Sequence, residues 1–120
     1  MKYAMPQEIE VWYILPAIRR EFSFIMSKRG LRQKEIAEKL GITKSAVSQY
    51  IKHKRANKFK FDLESEKAIE KSVDRILKNS NVITETQKLC NLLKENLTIC
   101  KVHQSYDSNL PKDCDLCMVK

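Results

Sequence analysis

The sequence has few of the residues that interrupt helices and no apolar run long enough to cross a membrane. Among 120 residues there are two glycines and three prolines. Alternating β-branched runs are also rare, so we expect helices rather than a sheet. No apolar stretch approaches the ~20 residues that span a bilayer, and the opening MKYAMPQEIE lacks the apolar core of a signal peptide. We therefore expect a cytoplasmic protein.

Positive charge is in excess, and it is unevenly placed. The formal net charge is +8. Residues 1–60 hold 14 Lys and Arg against 5 Asp and Glu, whereas residues 61–120 hold 9 against 10. The excess thus belongs to the first half, which favours binding of a polyanion there. A solvated lysine-rich surface with no such partner is the alternative.

Apolar spacing predicts five helical segments. They cover residues 6–29, 32–40, 44–52, 62–79 and 84–97. Pro16 is expected either to kink the first segment or to begin a new helix, because it lacks a backbone donor. Gly30 is expected to end that segment. The predicted N-cap residues of the last three segments are Thr43, Asp62 and Thr84.

The stretch from Gln33 to Lys52, QKEIAEKLGITKSAVSQYIK, predicts two helices that cross closely at a tight turn. Ala37 supplies a small residue at the crossing, and Gly41 tolerates the positive φ that the turn needs. The side chains expected to point inward are Ile36, Leu40, Ile42, Val47 and Tyr50. The outward residues of the second helix are short and polar, so they can bond base edges or phosphates. The alternative is an ordinary helical hairpin that serves only in packing.

This motif resembles the helix-turn-helix of the phage-repressor and Cro (Xre) family of transcription regulators, over roughly residues 16–55. The resemblance implies an all-α protein: a five-helix, lambda-repressor-like helix-turn-helix domain with extra C-terminal helices and a cysteine-rich tail. It implies a DNA-binding set of phosphate contacts at Arg32, Gln33 and Lys34, a groove-edge residue at Thr43, base contacts at Lys44, Ser45, Ser48 and Gln49, and further backbone contacts at Lys52, Lys54 and Arg55.

The opening stretch MPQEIEVWYILPAIRRE widens this resemblance. It is similar to a group of small, mostly archaeal predicted regulators of the family that carry cysteines in their C-terminal part. On that basis we divide the chain into residues 1–60, a helix-turn-helix DNA-binding domain, and residues 61–120, a helical dimerisation and cysteine-cluster region.

The second half carries a cysteine cluster with the spacing C-x9-C-x2-H-x10-C-x2-C. In a cytosolic chain such thiols point to metal binding or redox chemistry rather than disulfides. The closing CDLC is a chelating pair. The predicted metal ligands are Cys90, Cys100, Cys114 and Cys117.

Two features of the cluster stay open. If residues 90–100 formed one helix, Cys90 and Cys100 would lie about 15 Å apart along its axis, too far for one zinc ion or small cluster. Either that helix breaks or Cys90 is a buried apolar residue. The occupant is an iron–sulfur cluster, a zinc ion held by four thiolates or by three and His103, or no metal at all. The irregular spacing and the family resemblance favour iron–sulfur, with 4Fe–4S ahead of 3Fe–4S or 2Fe–2S.

These observations predict a sequence-specific DNA-binding transcription regulator, acting as a homodimer on a palindromic operator in double-stranded DNA. A C-terminal iron–sulfur cluster that senses redox state, oxygen or iron would modulate its DNA affinity. One alternative is the same regulator with a purely structural zinc. A second is an RNA-binding cluster protein or an enzyme, although no nucleophile–base pair or glycine-rich phosphate loop is present, and we expect no catalytic activity.

Overall fold

The computed structural model describes residues 5–52 and 61–95, and these residues are helical, with no β-strand among them. The all-α prediction is confirmed. The elements in chain order are α1 (Pro6–Ile9), a π-helical segment (Glu10–Ile14), α2 (Leu15–Lys28), α3 (Gln33–Leu40), α4 (Lys44–Ile51), α5 (Leu63–Leu77) and α6 (Val82–Glu95). Six residues that the sequence singled out lie outside the described part of the chain: Lys54, Arg55, Cys100, His103, Cys114 and Cys117.

The α-helix that contains Pro16 begins at Leu15, directly after a π-helical segment. Pro16 occupies the second position of α2, where a missing backbone N–H costs little. The π-helical segment directly precedes it, and the Leu15 N–H donates to the carbonyl of Glu10, five residues back. The wider turn therefore absorbs the change of backbone geometry that the proline requires.

Three helices end at residues with positive φ. Gly30 has a φ of +89° and Gly41 a φ of +67°, so both glycine predictions are confirmed. Leu31 N–H then donates to Met26 O at 3.1 Å, which satisfies a carbonyl at the end of α2. At the end of α5 the same conformation falls on Asn79, with a φ of +84°.

Two of the three predicted N-caps are confirmed. Thr43 Oγ1 accepts a hydrogen bond from the Ala46 N–H at 3.0 Å. Asp62 Oδ1 accepts one from the Ser65 N–H at 2.8 Å. Each bond satisfies one of the amide groups that the first turn of a helix leaves unpaired.

The third predicted cap, Thr84, is wrong. Helix α6 begins at Val82, and Asn81 Oδ1 accepts a hydrogen bond from the Ile83 N–H at 2.7 Å. Asparagine is a stronger N-cap than threonine, and it lies directly after the turn that ends α5. The earlier start follows from that preference.

The core is one continuous cluster that extends from α1 to α6. Helix α2 packs against α3, α4 and α5, and α6 packs against α5. Four of the five inward residues predicted around the tight turn are buried, and Ile42 is half-buried. The apolar faces of α5 and α6 also join this core, through residues such as Ile69, Val73 and Leu93. The division at residue 60 stays a prediction, since it borders residues 53–60.

A buried carboxylate joins α5 to α6. Glu85 is 1% exposed. It accepts a hydrogen bond from Arg75 Nε at 2.6 Å and one from Ser80 Oγ at 2.8 Å, and Lys88 Nζ lies 3.7 Å from it. Burial raises the pKa of the Glu85 carboxyl, but the bonds from Arg75 and Ser80 and the nearby positive charges outweigh it, so the pKa is lowered. The carboxylate therefore stays ionised at neutral pH.

Within the described ranges, no helix is long and apolar enough to cross a membrane.

Candidate nucleic-acid interface

Helices α3 and α4 are fixed by their apolar sides. Ile36 and Leu40 of α3 and Val47 and Tyr50 of α4 are buried. Ala37, at the crossing, is also buried, and its small side chain allows the two helices to approach. Both helices pack against α2 as well as against each other. Their opposite sides are therefore presented to solvent in one fixed arrangement.

The solvent side of α4 carries the residues predicted to read bases. Thr43, Lys44, Ser45 and Gln49 are exposed, and Ser48 is half-buried. These positions recur at the spacing of one helix face. The eight residues of α4 make a rod about 12 Å long, at 1.5 Å per residue. An α-helix with its side chains is about 10–12 Å in diameter, so α4 fits the major groove of B-form DNA, which is about 12 Å wide.

The predicted phosphate contacts that the structure describes lie at the two ends of this unit. Arg32 and Lys34, at the start of α3, are exposed, and Gln33 between them is half-buried. Lys52, which follows α4, is exposed. Glu35 accepts a hydrogen bond from the Arg32 N–H at 3.2 Å, so it completes the first turn of α3. The structure thus brings seven of the nine described DNA-binding candidates to the surface and leaves two half-buried.

The sequence around α4 is free of acidic residues. Residues 39–61 contain seven Lys and Arg and no Asp or Glu. A phosphate that approaches α4 therefore meets no carboxylate from this stretch. This acid-free stretch is a sharper sequence signal for the interface than the net charge of the first half.

Sequence reasoning missed one cation at the edge of this interface. Arg29 follows α2 as its C-cap residue, and its guanidinium pairs with Asp74 of α5. The partners are 45 residues apart in the chain, so no local pattern indicates the pair. The structure alone places Asp74 beside the turn that leads into α3.

Cys90 lies in the core instead of at a surface site. It is buried on α6. Desolvation raises the pKa of its thiol to about 11, and the negative charge of Glu10 adds to this rise. The positive charge of Lys94 acts in the opposite direction. Metals bind the thiolate form. This position favours the apolar alternative for Cys90. No group of three or more metal-binding side chains occurs in residues 5–52 and 61–95.

Part of the chain matches a known protein family. Residues 25–56 match the family model HTH_3, described as helix-turn-helix. No curated protein and no solved structure matches the chain. The matched residues are the last turn of α2, the whole of α3 and α4, and the residues that follow. This is the unit whose exposed side carries the polar and basic side chains described above. Residues 25–56 therefore form a helix-turn-helix of the HTH_3 family, which supports a DNA-binding transcription regulator.

Proposed function

We propose that the protein binds a palindromic operator as a homodimer and that α4 reads the base sequence in the major groove. The observation that carries this proposal is the exposed polar face of α4 within an acid-free stretch of the chain. Lys44 can donate to guanine and Gln49 can bond adenine at two points. Arg32, Lys34 and Lys52 bind phosphates, which set affinity and salt dependence but carry no sequence information.

The experiment for base reading begins with selection of a preferred duplex from a random library. Gln49→Ala is then expected to weaken binding to that duplex by about 1–3 kcal/mol and to relax base preference at one position of each half-site. Lys52→Gln is the matched control. It should weaken binding to all duplexes alike and reduce the slope of log affinity against log salt by ~0.9.

A contrary result would be equal affinity of Gln49→Ala and the wild type for the selected duplex. Equal binding of the wild type to transfer RNA and to the selected duplex would instead favour the RNA-binding alternative, since the selected duplex should be preferred by a base-reading protein.

Dimerisation is the second part of the proposal. Two copies bound to a palindrome place their recognition helices about 34 Å apart, one turn of DNA. The apolar faces of α5 and α6 are covered within the chain, so dimer contacts from these helices must use exposed side chains such as Leu63 and Ile83. Light scattering of the free protein, and of its complex with full and half operators, measures the stoichiometry directly. Two chains per full operator and one per half operator are expected.

The third part concerns the cysteine tail. We propose that Cys100, Cys114 and Cys117 hold an iron–sulfur cluster, 4Fe–4S in first place, and that oxidation or loss of the cluster changes DNA affinity. The support is the two-residue spacing of Cys114 and Cys117 with a third thiol upstream. Cys90 is left out of this ligand set, because its side chain is buried in the core.

The tail is tested by iron, sulfide and zinc analysis of protein purified without oxygen, together with its visible absorption spectrum. Stoichiometric iron and sulfide with a broad visible band would support the cluster. A colourless protein with one zinc per chain would favour the structural-zinc alternative. The double substitution of Cys114 and Cys117 by alanine should then abolish any effect of air on duplex affinity, and a retained effect would contradict the sensing role.

A further inference from the structure

Arg29 lies next to the phosphate-binding end of α3. It is the C-cap residue of α2, and Arg32 follows it after a two-residue turn. That turn is fixed, because the Leu31 N–H donates to the carbonyl of Met26 and the Gly30 N–H to the carbonyl of Ser27, each at 3.1 Å. The Arg29 side chain is 36% exposed. A cation is therefore held at the border of the interface, within reach of solvent.

Asp74 of α5 neutralises this cation. Its Oδ1 accepts a hydrogen bond from Arg29 Nη1, and its side chain is 52% exposed. Ion pairs between exposed side chains contribute little to folding, because water screens both charges. The main physical effect of the pair is on the surface field, because Asp74 cancels the positive charge of Arg29 close in the chain to Arg32.

We propose that Arg29 is a further phosphate-binding residue of this interface and that Asp74 restrains DNA affinity by pairing with it. The inference rests on the proposed function, since DNA supplies the phosphate. Asp74 engages Nη1, and the remaining donors of Arg29 have no partner among the described residues. A guanidinium binds a phosphate through two parallel hydrogen bonds. Its full positive charge acts on the phosphate only when it is not paired with a carboxylate.

The test removes the charge at Asp74 alone and at both positions together. For each variant, the affinity for the selected operator duplex is measured as a function of salt concentration. Asp74→Asn frees Arg29 and should tighten binding about three- to ten-fold at 0.1 M salt, with a salt slope steeper by ~0.9, the value for one additional phosphate. The double variant Arg29→Gln, Asp74→Asn should return to the wild-type affinity and slope. Thermal melting checks that both variants are folded.

Glu95→Gln is the matched control, because it makes the same change of net charge at an exposed position at the end of α6. It should leave the salt slope unchanged. The inference is overturned if Asp74→Asn binds no tighter than wild type, if Glu95→Gln gives the same gain, or if the double variant keeps the gain. Failure of the proposed function looks different: the wild type itself then shows no salt-dependent duplex binding, or Gln49→Ala binds like the wild type.

Discussion

The helix pairs α3–α4 and α5–α6 are built by similar local devices but use their charged residues in opposite ways. Each pair has a capped second helix and a turn with positive φ. Around α4, Lys39, Lys44 and Lys52 are exposed, in a stretch with no acidic residue. Between α5 and α6 the charges satisfy one another, with Glu85 buried against Arg75 and Ser80. In the α3–α4 pair the charged residues are available to a ligand, whereas in the α5–α6 pair they stabilise the packing of the two helices.

The largest expected effect comes from the helix that both pairs share. Phe22 of α2 is completely buried, and α2 packs against α3, α4 and α5. Phe22→Ala should lower the free energy of unfolding by about 3–5 kcal/mol, through lost burial and the cavity left behind. Urea unfolding followed by circular dichroism measures it.

The shape of that transition sharpens the comparison. Because the core is continuous, one cooperative transition is expected, in which both helix pairs unfold together. Two separate transitions would show that the pairs are independent. Trp12→Ala, at a residue that is 53% exposed, is the control, with a change within about 0.5 kcal/mol.

The next effect concerns the charges of α5 and α6. Glu85→Gln keeps the side-chain size but removes the ionised acceptor of two hydrogen bonds. The Arg75 side chain is 48% exposed and can be solvated after the change. We therefore expect a loss of about 1.5–3 kcal/mol in unfolding free energy, the range for a hydrogen bond to a charged group. Duplex affinity should stay at the wild-type value at temperatures where the variant is folded, in contrast to substitutions on α4.

This contribution depends on pH with a defined sign. The folded-state pKa of Glu85 lies below its ordinary value of 4.5. The stabilisation is therefore fully present above pH 4.5 and is lost as the pH falls through the lower, folded-state pKa. The stability difference between wild type and Glu85→Gln should shrink in that acidic range. A difference that stays constant down to pH 2 would contradict the ionised role of Glu85.

Features that depend on residues close together in the chain could be predicted from the sequence, whereas features that depend on distant residues could not. Gly30, Gly41, Thr43 and Asp62 were identified because caps and turns involve residues within a few positions of each other. The motif of α3 and α4 was identifiable for the same reason. The ion pair of Arg29 with a residue on α5 was not, since it joins distant parts of the chain. No helical periodicity marks such a pair.

The burial of the Glu85 charge also could not be predicted from the sequence. Glu85 is a polar residue in the first turn of a helix, and its sequence context favours an exposed position. Its burial depends on Arg75, ten residues earlier. Cys90 differs: the cysteine spacing predicts a metal ligand there, with a buried apolar residue as the alternative, and the structure places Cys90 in the core.

The smallest effects compare two N-caps of the same kind. Thr43→Ala and Asp62→Ala each remove one side-chain hydrogen bond to a first-turn amide. Each should cost about 1 kcal/mol in unfolding free energy. Thr43 borders the exposed face of α4, whereas Asp62 begins α5. Only Thr43→Ala should therefore weaken duplex binding at a temperature where both variants are folded. Thr43→Ser, which keeps the hydroxyl, should recover most of the stability. Equal loss of duplex affinity in both alanine variants would mean that α4 is not the recognition surface, because a cap on α5 affects binding only through folding.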